Sequence, residues 1–215
     1  MGRLKDWFSS LGERKLIVVG SLLALVLILR LLAISSRPFW YDEAFSALFA
    51  SSGPQAMLGG TLDGQAGSAA EEHPLLYYTL LWGWMRVLGE SPGVVRGLSV
   101  LAGLGVVTLA YLLGRSLFDD RFGLLAGGMV ALAPFQIHYA QEARMYALMA
   151  FWVLGAAYAL WRGMRTRLWR WWSVFMLCAA LAQYTHNLSA FFLLPLAFPP
   201  LLARDWRSSR AAVLS

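Results

Sequence analysis

Six apolar runs separated by short polar segments constrain this chain more than any other feature. They cover residues 16–34, 94–118, 122–139, 145–161, 171–184 and 188–203. A bilayer is crossed by roughly 20 apolar residues in a helix, and a soluble domain of 215 residues has no use for so many runs of that order. Charged residues make up 14% of the chain, against about a quarter in soluble domains. The net charge of +6 would suit a nucleic-acid partner, but the basic residues sit in short clusters between the runs, which is how membrane topology is encoded. A bilayer is therefore the expected partner, and nucleic acid is not. Cys178 stands alone in an apolar run and cannot form an internal disulfide, so the redox compartment is not readable.

The expected fold class is all-α and integral to the membrane: a polytopic helical bundle of about six transmembrane helices, with interfacial helices in the first outer loop. The whole chain, residues 1–215, reads as a single membrane domain. Residues 1–15 form a basic cytoplasmic tail. The run at 16–34 exceeds the roughly 7–15 residues of a signal-peptide core and is expected to remain as an uncleaved first span. An outer loop fills 35–93, five further spans fill 94–203, and 204–215 returns to the cytoplasm. Pro134 lies inside the run 122–139 and is tolerable in a membrane helix whose neighbours satisfy the freed carbonyl. Gly123, Gly127 and Gly128 allow close helix approach.

The stretch from Pro74 to Met85 is apolar but short, which suits a surface or re-entrant helix better than a span. Tyr77, Tyr78, Trp82 and Trp84 fit the headgroup level. Whether this stretch crosses decides the sidedness of all that follows. If it stays on the surface, residues 1–15, 115–121, 162–170 and 204–210 face the cytoplasm and hold thirteen of the eighteen Lys and Arg. If it crosses, the last two clusters move outside. The positive-inside rule selects the first arrangement, which gathers Asp42, Glu43, His73, Glu142, Arg144 and His186 at the outer face. That is what a membrane-surface active site requires.

Each of these residues has a plain reading beside a chemical one. Asp42 and Glu43 are either a solvated acidic pair at a helix start or the source of a general base that takes a proton from an acceptor hydroxyl attacking a sugar's anomeric carbon. Arg144 either snorkels to headgroups, with Glu142 as its partner, or binds a lipid-linked phosphate and stabilises it as a leaving group. His73 precedes a proline and can simply mark a helix start; His186 sits in a short outer turn with an Asn187-Leu188-Ser189 sequon too close to the membrane to carry weight. No metal-ligand spacing, phosphate loop or nucleophile elbow is visible. Two histidines and several carboxylates on one face permit a divalent metal without implying one.

In order, the chain carries Tyr41-Asp42-Glu43 after the first span, His73-Pro74-Leu75, Gly114-Arg115-Ser116-Leu117-Phe118, and Tyr139-Ala140-Gln141-Glu142-Ala143-Arg144-Met145-Tyr146. This order resembles the dolichyl-phosphate-mannose-protein mannosyltransferase superfamily and its aminoarabinose-transferase-like bacterial branch, over roughly residues 38–190. The resemblance implies a C-type glycosyltransferase fold, an enzyme of the plasma membrane working on its extracytoplasmic side. Its expected partners are a polyprenyl-phosphate-linked sugar and a glycan, lipid or protein acceptor. Asp42 matches the family's catalytic base, with Glu43 beside it. Arg144 matches the arginine that contacts the carrier phosphate, and His73 and Glu142 match positions lining the same cavity. His186 is expected to assist at the phosphate. The chain has His73-Pro74-Leu75 where the family often has a second proline. Members usually carry further spans and often a C-terminal soluble domain, so the expectation is the N-terminal part of a longer enzyme. The rival class is a non-catalytic membrane protein, a lipid-linked sugar flippase or an assembly partner. Its spans should carry charges midway, whereas here the charges gather at the ends.

Overall fold

A computed structural model describes residues 20–21, 24–32, 34–59 and 73–198. The basic tail at 1–15, the Gly/Ala/Ser-rich stretch beyond residue 59 and the basic end at 204–210 lie outside the described residues, and the first and last expected spans are described only in part. Among the described residues every regular element is helical. A helical stretch at 24–31 is followed by α1 (Tyr41–Ser51), the one-turn α2 (Pro54–Met57), α3 (Leu76–Leu88), α4 (Pro92–Leu117) and α5 (Asp120–Leu132). Then come α6 (Pro134–Ala140), α7 (Tyr146–Thr166), α8 (Trp169–Thr185), α9 (Ser189–Leu193) and a 3-10 turn at Leu194–Ala197.

Among the described residues, α4 and α7 are each long and apolar enough to cross a bilayer, and a third crossing is possible if α5 and α6 act together. The expectation was six. The first and last expected spans are described only in part, and three local features shape the runs that are described. The run at 122–139 is broken because the residue before a proline is driven out of the helical region. Ala133 is accordingly extended (φ −63°, ψ 121°), and α5 and α6 meet at 62°. The helix α8 has 17 residues, about 25 Å at 1.5 Å per residue, against a hydrocarbon thickness of about 30 Å. The last run divides into the five-residue α9 and a 3-10 turn containing Pro195, whose missing N–H and fixed ring oppose a continuous helix.

The long helix α4 is the axis of the molecule: α3, α5, α6 and α7 all pack on it, and α8 packs along α7. The hairpin from α4 to α5 is fixed by Asp119, whose Oδ1 accepts from the backbone N–H groups of Arg121 (2.8 Å) and Phe122 (3.0 Å), filling donors that a helix start leaves unpaired. Arg115 and Asp120 pair across the same turn at 2.8 Å. Next to α4, α7 runs in the same direction. Ser99 Oγ reaches the carbonyl of Arg144 at one end (3.3 Å), and Trp161 Nε1 and Arg165 Nη1 reach the carbonyl of Ser116 at the other (3.1 and 3.0 Å).

The larger core cluster lies at the end where α1, α3 and the starts of α4 and α7 converge. Tyr77, Tyr78, Leu81 and Met85 form one face of α3 and are buried with Phe49, Met57, Val95, Met145 and Leu148, the one-sided pattern of an amphipathic helix. Phe49 and Tyr78 meet edge to face at 5.0 Å, and Trp84 Nε1 donates to the carbonyl of Val94 at 2.7 Å. At 13 residues, about 20 Å, α3 is too short to cross. Deeper in the bundle Arg30 is fully buried, with Nη1 directed at the carbonyls of Val26 (3.4 Å) and Ala131 (3.3 Å).

Small residues set the separation of α4 from α5. A Cβ on Gly123 would lie 2.8 Å from the carbonyl oxygen of Tyr111 and 2.9 Å from Arg115 Cβ, whereas one on Gly128 would meet nothing within 4 Å. Backbone atoms cannot move aside, so Gly123→Val should cost the roughly 1–3 kcal/mol typical of overpacking, or more. Gly128→Ala should be neutral or slightly stabilising. Thermal unfolding of the two variants in detergent checks this: equal midpoints would contradict the close approach at Gly123.

Candidate active site

The first turn of α1 presents its two carboxylates to different surroundings because successive helical residues are about 100° apart around the axis. Glu43 is buried. Its Oε1 accepts from Arg96 Nε at 2.8 Å and from the backbone N–H of Ala143 at 2.9 Å, and its Oε2 from Arg96 Nη2 at 2.6 Å. Arg96 also donates to the carbonyls of Ile34, Arg37 (2.9 Å) and Pro38 (3.1 Å). All five N–H donors of this guanidinium therefore have acceptors. Burial alone would raise the Glu43 pKa, but the hydrogen bonds from Arg96 and Ala143 outweigh it and hold the carboxyl below the ordinary glutamate value.

Asp42 points elsewhere. Its side chain is 37% exposed and its Oδ2 lies 3.7 Å from Arg144 Nη2, an ion pair too long for a hydrogen bond. Arg144 is buried at the connection between α6 and α7. Its Nη1 is 3.4 Å from Ser46 Oγ, and its guanidinium carbon stands 5.9 Å from the ring centre of Tyr146. Arg144 Nε is buried with no hydrogen-bond partner, so the group keeps donor capacity beyond the contacts it makes.

Beside this pair the rings of His73 and His186 meet edge to face at 4.5 Å, and Tyr146 lies 5.7 Å from His186. The backbone N–H of Leu188 is 3.0 Å from His186 Nδ1; with Nδ1 accepting, the neutral ring carries its proton on Nε2. His73, at the entry to α3, and His186, at the end of α8, are thus brought together from distant parts of the chain.

Glu142 stands on the Glu43 side. Its Oε1 lies 3.0 Å from His138 Nε2, four residues earlier in the chain and inside the last turn of α6. Burial pushes the Glu142 pKa above the ordinary value, against the opposing charge of His138. A cavity of about 450 Å³ opens here, lined by the Glu43–Arg96 pair with Arg37, Trp40, His138, Gln141 and Glu142. All six residues expected at one face are therefore at one end of the bundle, but they divide into two groups. Asp42, Arg144, His73 and His186 form one; Glu43 and Glu142 belong to the other. The cation-rich turns at Arg115–Arg121 and Arg162–Arg170 lie at the opposite end of α4 and α7.

The sequence reading did not single out Arg96 or His138. Each had a signal: an arginine in the first turn of an apolar span is costly unless paired, and His138 stands four residues before Glu142 on a helical pattern. No group of three or more His, Cys, Asp or Glu able to hold a metal occurs among the described residues.

The fold and this polar end define a helical membrane protein with a carboxylate–arginine site at one surface. Residues 72–214 match the family model of dolichyl-phosphate-mannose-protein mannosyltransferases. With more than half of the chain matched, the protein belongs to that family of membrane glycosyltransferases. His73, Glu142, Arg144 and His186 fall within the match; Asp42 and Glu43 precede it. No curated protein and no solved structure matches the chain.

The buried Glu43–Arg96 pair, with both side chains 2% exposed, gives a stability prediction. Because its folded pKa is depressed, Glu43 contributes stability that is full above the ordinary value of 4.5 and is lost as the pH falls through the folded value. Thermal midpoints of the wild type and Glu43→Gln should therefore differ most near neutral pH and converge as the pH falls below 4.5 and through the depressed Glu43 value. Arg96→Met should cost about 3–5 kcal/mol, because one buried charge is left without its partner. A gap between the wild type and Glu43→Gln that stays constant with pH would overturn this account.

Proposed function

We propose that this protein transfers a sugar from a polyprenyl-phosphate carrier to an acceptor hydroxyl at the extracytoplasmic face of the plasma membrane, with inversion at the anomeric carbon. The observation that carries the reading is the loose pair of a partly exposed Asp42 and a buried Arg144, 3.7 Å apart, in a chain of a glycosyltransferase family. A phosphate arriving at Arg144 competes for the guanidinium and releases the Asp42 carboxylate to act as a base. Asp42 takes the proton of the acceptor hydroxyl. The oxygen forms its bond to the anomeric carbon from the face opposite the carrier. The bond from that carbon to the phosphate oxygen breaks, and its electron pair leaves with the polyprenyl phosphate.

Charge grows on the departing phosphate, and a preorganised donor such as Arg144 acts where that charge develops. His186 reaches this group through Tyr146, which it meets at 5.7 Å and which lies under Arg144, and with His73 is assigned an assisting role at the phosphate. Glu43 holds the frame that carries Asp42 and does not touch the reacting atoms. In this reading α3 lies on the membrane surface with its aromatic face turned into the core, and the donor lipid enters from the outer leaflet.

The test is a mass profile of cell-envelope glycans in a deletion strain complemented with the wild type or with variants at equal membrane abundance. The wild type should restore the lost sugar. Asp42→Asn should reduce transfer by about 10²- to 10⁴-fold, the usual worth of a general base, and Arg144→Ala by about 10²- to 10³-fold. Full restoration by Asp42→Asn would remove the base assignment and move the flippase or assembly-partner reading ahead.

A further inference from the structure

The cavity beside Glu43 takes no part in the transfer step described above, yet it has the make-up of a binding site. It holds about 450 Å³, within the usual range for small-molecule pockets. The polar wall formed by Glu43 and Arg96 offers little to a ligand, since all five donors of Arg96 have acceptors, both oxygens of Glu43 accept, and both side chains are only 2% exposed. Gln141 is likewise committed: its Oε1 accepts from Arg37 Nη2 at 3.1 Å, and its Nε2 donates to the carbonyls of Leu29 (2.9 Å) and Leu32 (3.2 Å).

What remains open to a guest is a short and mixed set. Glu142 Oε2 has no hydrogen-bond partner among the described residues, while its Oε1 is held by His138. The His138 side chain is 55% exposed, the bond to Gln141 uses one of the five N–H donors of Arg37, and Trp40 is about half exposed. This set suits neither a simple anion nor a simple cation. A phosphate would face the Glu142 carboxylate, and an ammonium group would face Arg37. A ring bearing several hydroxyls satisfies all of it. Each hydroxyl both donates and accepts, so one can give to Glu142 and take from Arg37, another can give to Nδ1 of a neutral His138 whose Nε2–H is held by Glu142, and the C–H face of the ring lies on the indole of Trp40.

We propose that this cavity is a subsite for a neutral sugar or polyol ring of the acceptor, stacked on Trp40 and held through its hydroxyls by the His138–Glu142 pair and Arg37. Trp40 and Glu43, on either side of the Tyr41-Asp42 step, both line the cavity, so it adjoins the first turn of α1 that carries Asp42, whose own carboxylate lies outside the lining. The word acceptor rests on the transfer reading; the binding of a neutral ring does not.

The experiment is saturation-transfer NMR on the full chain in detergent micelles, with a panel of methyl hexosides as probes and inorganic phosphate as a competitor. At least one hexoside should take up saturation from the protein, and phosphate should not displace it. Trp40→Ala should weaken binding by about three- to tenfold, the size of a lost aromatic stacking contact, and Trp40→Phe should retain most of it. Glu142→Gln, which keeps the shape of the side chain, should also weaken it, while Asp42→Asn should bind as the wild type does. In turnover, Trp40→Ala should raise the acceptor KM with kcat little changed, whereas Asp42→Asn should lower kcat. Hexoside binding unchanged in both Trp40→Ala and Glu142→Gln would overturn the proposal, as would displacement by phosphate or no binding by any hexoside. Loss of binding in the cavity variants together with full transfer by Asp42→Asn would leave the subsite standing and remove the base assignment instead.

Discussion

The contact on which the polar end of this molecule depends is the buried pair of Arg96 and Glu43. A guanidinium taken out of water is expensive unless every donor is met, and here every donor is met by groups from separate parts of the chain. Two go to the Glu43 carboxylate and three to the carbonyls of Ile34, Arg37 and Pro38, while Glu43 accepts in turn from the N–H of Ala143. One ion pair thus ties the exit of the N-terminal helical segment, the first turn of α1, the start of α4 and the connection from α6 to α7. Asp42 is next to Glu43 and Arg144 next to Ala143, so the distance between the proposed base and the proposed phosphate ligand is set by a pair that touches neither reactant.

The same geometry explains why two neighbouring carboxylates take different parts. Glu43 faces inward, where it is desolvated and bound by charge-assisted hydrogen bonds that favour the carboxylate form. Asp42 faces a partly open surface with a single loose cation beside it. A base has to be reachable and unsaturated; a structural carboxylate has to be neither. Glu142 illustrates the third case, buried but only partly satisfied, so that its carboxyl is pushed upward and keeps an oxygen available to the cavity.

Several features were legible in the residues because they depend on local chemistry. The apolar runs and the basic clusters between them give a helical membrane chain without any knowledge of packing, and the spacing of Arg144 from Glu142 after an apolar run marks a polar helix end. Other features were not legible because they depend on where a helix stops and which way it turns. The run at 122–139 looks continuous by hydropathy, yet Ala133 before Pro134 leaves the helical region and the two halves meet at 62°. Nothing in the pair Asp42-Glu43 says which carboxylate turns inward, since the two differ only by one step of rotation about the helix axis. His138 sits inside an apolar stretch, and its pairing with Glu142 depends on how the chain turns after α6 ends at Ala140.

By itself the sequence determined the class of molecule: the length and apolar character of its runs require a bilayer, and the order of its motifs carries the family. The tertiary structure alone decided how the polar residues are shared out. It brought His73 to His186 and Asp42 to Arg144 across long stretches of chain, and it consigned Glu43 to Arg96. The physical reason is that burial and pairing belong to the packed surroundings of a side chain, which a one-dimensional string of residue types does not contain.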